Sequence, residues 1–218
     1  GGDSIMSIQL ASAAKAALTH TGFLAGSYKV VEGAFRQAGL LPVDSYEELV
    51  SVTKALALQP LAAGTRVAMI GNGIGTTVQA LDILQANGLE LARLEPGTME
   101  RLRDVYASFY IVQNPVDVTG SGSSSDYEIG IQALLDDPGV DIVMPWMVFQ
   151  DVPLDEDIPE RLGRLNRSAP KPMVCGATGG DYTQRKAAQI EAEGVPVLAS
   201  VRDWVAAARG LAYRAGRR

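Results

Sequence analysis

Cysteine and histidine are nearly absent from this 218-residue sequence, with one of each, and aromatic residues make up only 6%. The single cysteine, Cys175, rules out an internal disulfide and suits a reducing compartment. Within Met173-Val174-Cys175 it reads as a small apolar residue of a strand, without the basic neighbours that a reactive thiol needs. Positive charge is in the minority: 19 Lys and Arg stand against 25 Asp and Glu, a net charge of −6. That balance argues against a nucleic-acid partner, which selects a basic stripe. The one Arg-rich stretch (Arg209, Arg214, Arg217, Arg218) is short and reads as a solvated helix end or tail. No apolar run reaches the roughly 18 residues of a membrane span, and no signal-peptide pattern is present. The chain therefore reads as cytoplasmic, with no membrane partner. What it does have is a 47% share of hydrophobic residues, ample for one or two domains with a real core.

Residues 5–18 space Ile5, Ile8, Leu10, Ala13, Ala14, Ala17 and Leu18 in a way compatible with a helix. Ser27 offers an N-cap for a helix over 28–38, with Val30, Val31, Ala34, Phe35 and Ala38 on one face and Gly39 at its end. Leu40–Val43 predicts a short strand. Asp44 or Ser45 caps a helix over 46–58 that turns Leu49, Val50, Thr53 and Leu56 inward, and the Pro and Gly of 59–64 mark a linker. A helix, a strand and a helix are too few to bury their own apolar faces. Either this segment docks on the domain C-terminal to it or it closes a larger domain, and its exposed faces leave self-association into a homo-oligomer open.

From Arg66 onward short apolar runs alternate with helical stretches. The runs are Val67–Ile70, Leu89–Leu94, Val140–Trp146, Pro172–Cys175 and Val195–Leu198. Helices are expected between them, one of them showing Val78, Leu81, Ile83 and Leu84 at helical spacing, and a last helix from Val201. Asn114–Gly120 reads as a Pro- and Asp-shaped loop. The pattern predicts an α/β fold: a flavodoxin-like, doubly wound, five-stranded parallel sheet covered on both faces. The organisation expected is a segment over 1–60 and a complete domain over 61–218.

Two stretches carry candidate chemistry. In Leu18-Thr19-His20-Thr21-Gly22-Phe23-Leu24-Ala25-Gly26-Ser27 the only histidine sits between two threonines and before two glycines. A neutral imidazole nitrogen can accept a phosphoryl group and pass it on. The residues alone favour the plainer alternative, a histidine satisfied by a backbone carbonyl. The second stretch, Gly71-Asn72-Gly73-Ile74-Gly75-Thr76-Thr77, comes after the first long strand and opens its helix. There, free amides and the positive end of the helix dipole suit phosphate. It lacks the third glycine of a dinucleotide fingerprint and the Gly-Lys-Ser/Thr of a P-loop, so a glycine turn that merely lets strand and helix pack closely remains equally open. Gly176–Gly180 reads as a flexible structural loop. Asp151, Asp155, Glu156 and Asp157 lack calcium-loop spacing and read as charges at a helix N-terminus rather than as a metal site. Trp146 and Phe149, beside them, suit core or interface.

Thr19–Ser27, running into Val31-Glu32-Gly33-Ala34-Phe35-Arg36-Gln37-Ala38-Gly39, resembles the phosphohistidine loop of the ADP-forming acyl-CoA synthetases, relatives of succinyl-CoA synthetase. Asn72-Gly73-Ile74-Gly75 with Leu81-Asp82-Ile83-Leu84 and Asn87-Gly88 is similar to the succinyl-CoA synthetase β-subunit, and Asn114-Pro115-Val116-Asp117-Val118-Thr119-Gly120 also matches the ADP-forming family. That family more often carries Gly-Gly-Pro-Gly where this chain has Asn72–Gly75. The strand and Gly-Arg-Ser turn that usually precede the histidine loop are not recognisable here. The resemblance implies that 1–60 is the C-terminal part of one CoA-ligase domain and 61–218 a complete second one. It makes His20 the phosphoryl carrier. It gives the amides of Gly73, Ile74, Gly75 and Thr76 to phosphate, and leaves Thr21 and Gly22 to shape the loop. The implied reaction interconverts acyl-CoA, ADP and phosphate with acid, CoA and ATP. CoA and the Mg²⁺ nucleotide would be bound by CoA-binding and ATP-grasp domains outside these residues, so the chain alone is expected not to turn over. Two other readings stand beside it: a regulatory module that senses acyl-CoA or nucleotide for a protein acetyltransferase, and a small-anion-binding flavodoxin-like domain.

Overall fold

The computed structural model describes residues 7–8, 28–151 and 154–215. At the amino-terminal end β1 (Ser7–Ile8) pairs in parallel with β2 (Pro42–Val43), and α1 (Tyr28–Gln37) lies between them in sequence. The strand at Ser7–Ile8 corrects the helical reading of that stretch. Its cause is tertiary: β2 lies beside the buried cluster of Leu41, Val43, Val52 and Ala206 and offers a ladder, which overrides a weak helical spacing. Gly39 ends α1 in the left-handed region at φ 77°, and the Leu40 amide reaches back to Phe35 O at 2.8 Å, as expected of a helix-ending glycine. Val30, Ala34 and Ala38 on the expected apolar face of α1 are exposed. Ser27, its expected cap, lies outside the described residues.

The next helix, α2 (Tyr46–Leu58), starts where Ser45 Oγ accepts the Glu48 amide at 3.1 Å. Its buried face is Ser51, Val52 and Ala55; of the expected inward residues Leu49 and Leu56 pack half-buried against the core, while Val50 and Thr53 stand exposed, which corrects the expectation for those two. Small residues decide the matter. The face turns toward α8 (Val201–Ala212), where a Cβ on Gly210 would stand 2.6 Å from Val52 Cγ1, so the two helices approach through glycine and alanine rather than through leucine. Arg209 of α8 donates to Pro42 O and pairs with Glu48, so it is tied down rather than solvated as expected. Gln59, almost fully buried, donates to Asn166 Oδ1 and Gly194 O and accepts the Met173 amide. Of the two options open to the 28–58 segment, docking on the C-terminal domain is therefore observed for α2.

The main sheet is parallel. It is built from β3 (Arg66–Gly71), β4 (Glu90–Leu91), β5 (Val116–Asp117), β6 (Ile142–Trp146), β7 (Cys175–Gly176) and β8 (Val197–Leu198). Its path is β4-β3-β6-β7-β8, the flavodoxin-like order in which the first strand lies between the second and the third. Strand alternation sends Ala68 and Ile70 to one face and Val67 and Met69 to the other. The first face is covered by α4 (Pro96–Val105), α5 (Ser124–Asp136), α6 (Ile158–Ser168) and α7 (Asp181–Ala192). The second is covered by α3 (Ile74–Ala86) and α8, with α2 behind them. On α3 the buried residues are Thr77, Ala80 and Leu84, and Val78 is exposed. Trp146 and Phe149 belong to the core, Trp146 meeting Trp204 edge-on with ring centroids 5.1 Å apart.

The expected five strands are present, and β5 is an addition where a loop was expected. It pairs with β3 at Ile70↔Val116 and Gly71↔Asp117, beyond the point where β4 leaves that strand. Between the two, the Asn114 side chain stands in for a strand: Oδ1 accepts the Met69 amide, and Nδ2 donates to Val67 O and Ala92 O, all at 2.8–2.9 Å.

At the opposite edge Arg66 forks onto Asp141, with Nε to Oδ2 and Nη2 to Oδ1 both at 2.8 Å. The Asp141 side chain is 7% exposed and that of Arg66 45%. The guanidinium holds the Asp141 carboxyl below its ordinary range. Unfolded, the same group titrates near 3.9, so over that window the unfolded chain binds more protons and stability falls as pH falls. Asp141→Asn should lose on the order of 1–3 kcal/mol at neutral pH. In thermal melts the gap to wild type should close as pH drops below about 4, through the folded value. A gap that stays constant down to pH 3 would show that the ion pair contributes nothing.

Candidate functional site

The site is built at the carboxyl edge of β3. Gly71 is the last strand residue, Gly73 is the N-cap of α3, and Ile74 begins the helix. Gly71 answers to packing: a Cβ there would stand 3.2 Å from Trp146 O of the neighbouring strand. Gly75 does not, since its Cβ would meet nothing within 4 Å. The close-packing explanation therefore holds for the first glycine of the stretch and fails for the last, which opens onto free space. Ile74 and Gly75 are exposed, and Gly73 and Thr76 half-buried. The first amides of a helix have no acceptor four residues back. Here the Thr76 amide closes a turn onto Gly73 O at 3.2 Å, and Thr77 Oγ1 donates to Ile74 O at 2.9 Å. The first turn, Ile74-Gly75-Thr76-Thr77, has no acidic residue to offset the positive end of the dipole.

Two further loops converge on this edge. The Val118 amide donates to Gly71 O at 3.0 Å, and Asp117 Oδ1 accepts the Thr119 amide at 2.8 Å, with Thr119 left-handed at φ 52°. The 114–120 stretch is thus tied to the end of β3, as its Asp- and Pro-shaped character suggested. The loop after β6 is joined through Asn72, which is 7% exposed. Asn72 Oδ1 accepts the Val148 amide at 2.9 Å, and Nδ2 donates to Val148 O at 3.1 Å and to Asp151 Oδ2 at 2.8 Å. The fully buried Tyr127 hydroxyl stands 2.9 Å from Asn72 Oδ1 and 2.7 Å from Trp146 O. Burial pushes the Tyr127 phenol well above its ordinary range, so it stays a donor.

The acidic run divides. Asp151 belongs to the Asn72 contact, Glu156 pairs with the buried Lys186, and Asp157, the N-cap of α6, pairs with Arg161. Lys186 and then Tyr182 hold the Glu156 carboxyl below its ordinary range, and Arg161 does the same for Asp157. Among the described residues no group of three or more His, Cys, Asp or Glu is placed to hold a metal ion. Cys175 is buried in β7, and desolvation pushes its thiol far up, which leaves it inert.

The structure thus brings Gly73, Ile74, Gly75 and Thr76 together at one mouth. His20, Thr21 and Gly22 lie outside the described residues. Missed from the sequence are the parts played by Asn72, Tyr127 and Asp151. Their meeting depends on which strands neighbour one another, and only a polar residue placed directly before Gly-x-Gly hinted at it.

Comparison with known proteins agrees with the fold. Residues 67–218 match the Ligase-CoA domain family, and residues 6–56 match the succinyl-CoA ligase like flavodoxin domain. The chain is 35% identical over 210 residues to the acetate–CoA ligase [ADP-forming] II subunit alpha of Pyrococcus furiosus, covering 94% of this chain and 45% of that one. It is 31% identical over 191 residues to acetate–CoA ligase [ADP-forming] II of Archaeoglobus fulgidus, covering 86% and 28%. Among solved structures it superposes on the dinucleotide forming acetyl-coenzyme A synthetase 1 of Ca. Korarchaeum cryptofilum, in complex with phosphate and ADP. That match has a TM-score of 0.85 and 28% identity, over 94% of this chain and 45% of that one. The chain spans under half the length of these relatives. By these matches and by its own fold, the chain belongs to the superfamily of ADP-forming acyl-CoA synthetases and succinyl-CoA synthetase, through its CoA-ligase domains.

Proposed function

We propose that this chain is the phosphoryl-carrying part of an ADP-forming acyl-CoA synthetase, an acid–thiol ligase that works through a phosphohistidine on His20. The observation that carries this reading is the 35% identity, over 94% of the chain, to a subunit of an ADP-forming acetate–CoA ligase. In the proposed cycle phosphate displaces CoA from acyl-CoA to give an acyl phosphate. The imidazole of His20 then takes the phosphoryl group and releases the acid, and ADP takes it from the imidazole as ATP. Each step moves one phosphoryl or acyl group, and the completed cycle leaves His20 as it began.

The role of the α3 mouth is electrostatic. Amides of Gly73, Ile74 and Gly75, at the positive end of a 13-residue helix, would hold the phosphoryl oxygens while charge is redistributed, and that of Thr76 would join them by giving up its 3.2 Å bond to Gly73 O. Thr21 and Gly22 would shape the histidine loop. Residues 1–60 would be the C-terminal part of one CoA-ligase domain and 61–218 a complete second one. In this reading nucleotide, Mg²⁺ and CoA bind to ATP-grasp and CoA-binding partners, as the family resemblance implies. In this reading the enzyme works in the cytoplasm.

The test is incubation of the intact enzyme, this chain together with its partner domains, with γ-labelled ATP and Mg²⁺, comparing wild type with His20→Ala. The 218-residue chain on its own should show no acyl-CoA-dependent phosphorylation of ADP above background. Robust turnover by the pure chain would remove the need for partners.

A further inference from the structure

We infer that Asn72 is a positioning residue for the α3 mouth: its side chain bridges the crevice between the first and third strands and so holds the Gly73–Thr76 turn ready for an anion. This role rests on the proposed phosphate site at that turn.

In a flavodoxin-like sheet the crevice beside the first strand, where the strand order reverses, is where ligands enter. Here it lies between the carboxyl ends of β3 and β6, whose backbone pairing runs up to Gly71↔Trp146. One residue further on, the Asn72 side chain continues that pairing. Its amide meets both the N–H and the C=O of Val148, as a peptide group would, at 2.9 and 3.1 Å. Its two remaining contacts, Tyr127 Oη and Asp151 Oδ2, fix it from the core side and from the tip of the loop. Nδ2 therefore donates twice, and Oδ1 accepts the Val148 amide and shares the single Tyr127 proton with Trp146 O, in a residue that is almost fully buried.

The turn needs such an anchor because of its composition. Gly73 and Gly75 lack side chains, and a Gly-x-Gly turn loses more freedom on ordering than other sequences. Nothing would touch a Cβ at Gly75, and the nearest neighbour of a Cβ at Gly73 would be one methyl, Val148 Cγ2 at 3.4 Å. Packing therefore contributes little to holding this turn, and the rigid point beside it is the Asn72 amide. An anion that meets amides already in place does not bear the cost of ordering them. Asparagine is also the fitting type, since it supplies donor and acceptor together without charge. The substitution Asn72→Asp would keep the Val148 and Tyr127 donors, lose both donations, and set a second carboxylate against Asp151.

The experiment uses the full 218-residue chain and inorganic phosphate at constant ionic strength, monitored through the amide resonances of Gly73, Ile74 and Gly75. In wild type these should shift saturably with phosphate and not with chloride. In Asn72→Gly and Asn72→Asp the phosphate dissociation constant should rise about tenfold or more, as expected when a turn that has lost its anchor must be ordered on binding, while the amide spectrum of α8 and the melting curve show that the sheet is intact. Variants that bind phosphate about as tightly as wild type would overturn the positioning role and leave the anion site standing. A wild-type chain with no saturable shift would overturn both. If the Asn72 variants do not fold, Tyr127→Phe carries the test, since it keeps the ring in the core and deletes one hydroxyl contact. It should weaken phosphate several-fold, and an unchanged constant would reject the role.

Discussion

His20→Ala in the intact enzyme should leave no acid-labile, base-stable label after incubation with γ-labelled ATP and Mg²⁺, where wild type retains it. For label on these 218 residues the expected effect is complete loss, because they contain one histidine and no second imidazole among them can substitute. The lability pattern identifies the bond. A phosphoryl group on an imidazole nitrogen is held by a P–N bond, and protonating the ring turns it into a good leaving group, so acid strips the label and base does not. Phosphate esters on Thr19 or Thr21, the immediate neighbours, would behave the opposite way. Acid-stable label in wild type would move the carrier to a hydroxyl, and label that survives in His20→Ala would end the phosphohistidine reading. ADP–ATP exchange, which needs only the nucleotide half of the cycle, should fall to background in the same variant. Thr21→Ala should slow exchange without abolishing it, because a residue that shapes the loop does not form the bond.

The fold was legible wherever apolar runs did the work of specification. Val67–Ile70 and Ile142–Trp146 are buried on both faces, as continuous apolar strands must be, and helices with strong stripes, such as Tyr127, Ile131, Leu134 and Leu135 on α5, bury those stripes. The misreadings share a cause, which is that the deciding partner lies far off in sequence. Ser7–Ile8 is a strand because Pro42–Val43 is beside it. On α2 the inward face is set by the distant Gly210, which meets Val52, and a pattern that weighs leucine and valine passes over the serine and alanine that let the helices meet. Arg209 reads as a tail charge until Glu48 and Pro42 stand next to it. For the site, the place of the glycine turn after a strand and before a helix was legible. The residue that anchors it was not. Asn72 looked like part of a glycine motif, and its contacts with Val148, Tyr127 and Asp151 appear only once β6 and α5 are in place.

Asn114 presents the same problem of distance with the larger consequence for stability, and Asn114→Asp should destabilise the fold severely. The side chain fills the gap in the ladder between β4 and β5, giving the Met69 amide an acceptor and Val67 O and Ala92 O a donor. Met69 and Val67 are wholly buried and Ala92 nearly so, so water cannot replace what is lost. Asn114→Ala leaves these groups short of partners at about 1–3 kcal/mol for each that goes unmet. Asn114→Asp keeps the Met69 acceptor but points carboxylate oxygen at two carbonyl oxygens. The cost should be on the order of 4 kcal/mol, or a fall in melting temperature of roughly 10 °C for a chain of this size. The two variants separate through pH. Facing carbonyls in a half-buried site, the introduced carboxyl should have a folded pKa above its unfolded value near 3.9, so the folded state binds the extra proton first and stability recovers as pH falls through that window. The protonated acid is again a donor toward Val67 O or Ala92 O. Asn114→Ala has nothing to protonate, and its deficit relative to wild type should be the same at about pH 7 and pH 5, either side of the window in which a raised carboxyl titrates. Melting curves for the three proteins across that range decide the case: an Asp variant as stable as wild type at neutral pH, or one whose deficit does not shrink with acid, would show that the sheet does not depend on the amide at position 114.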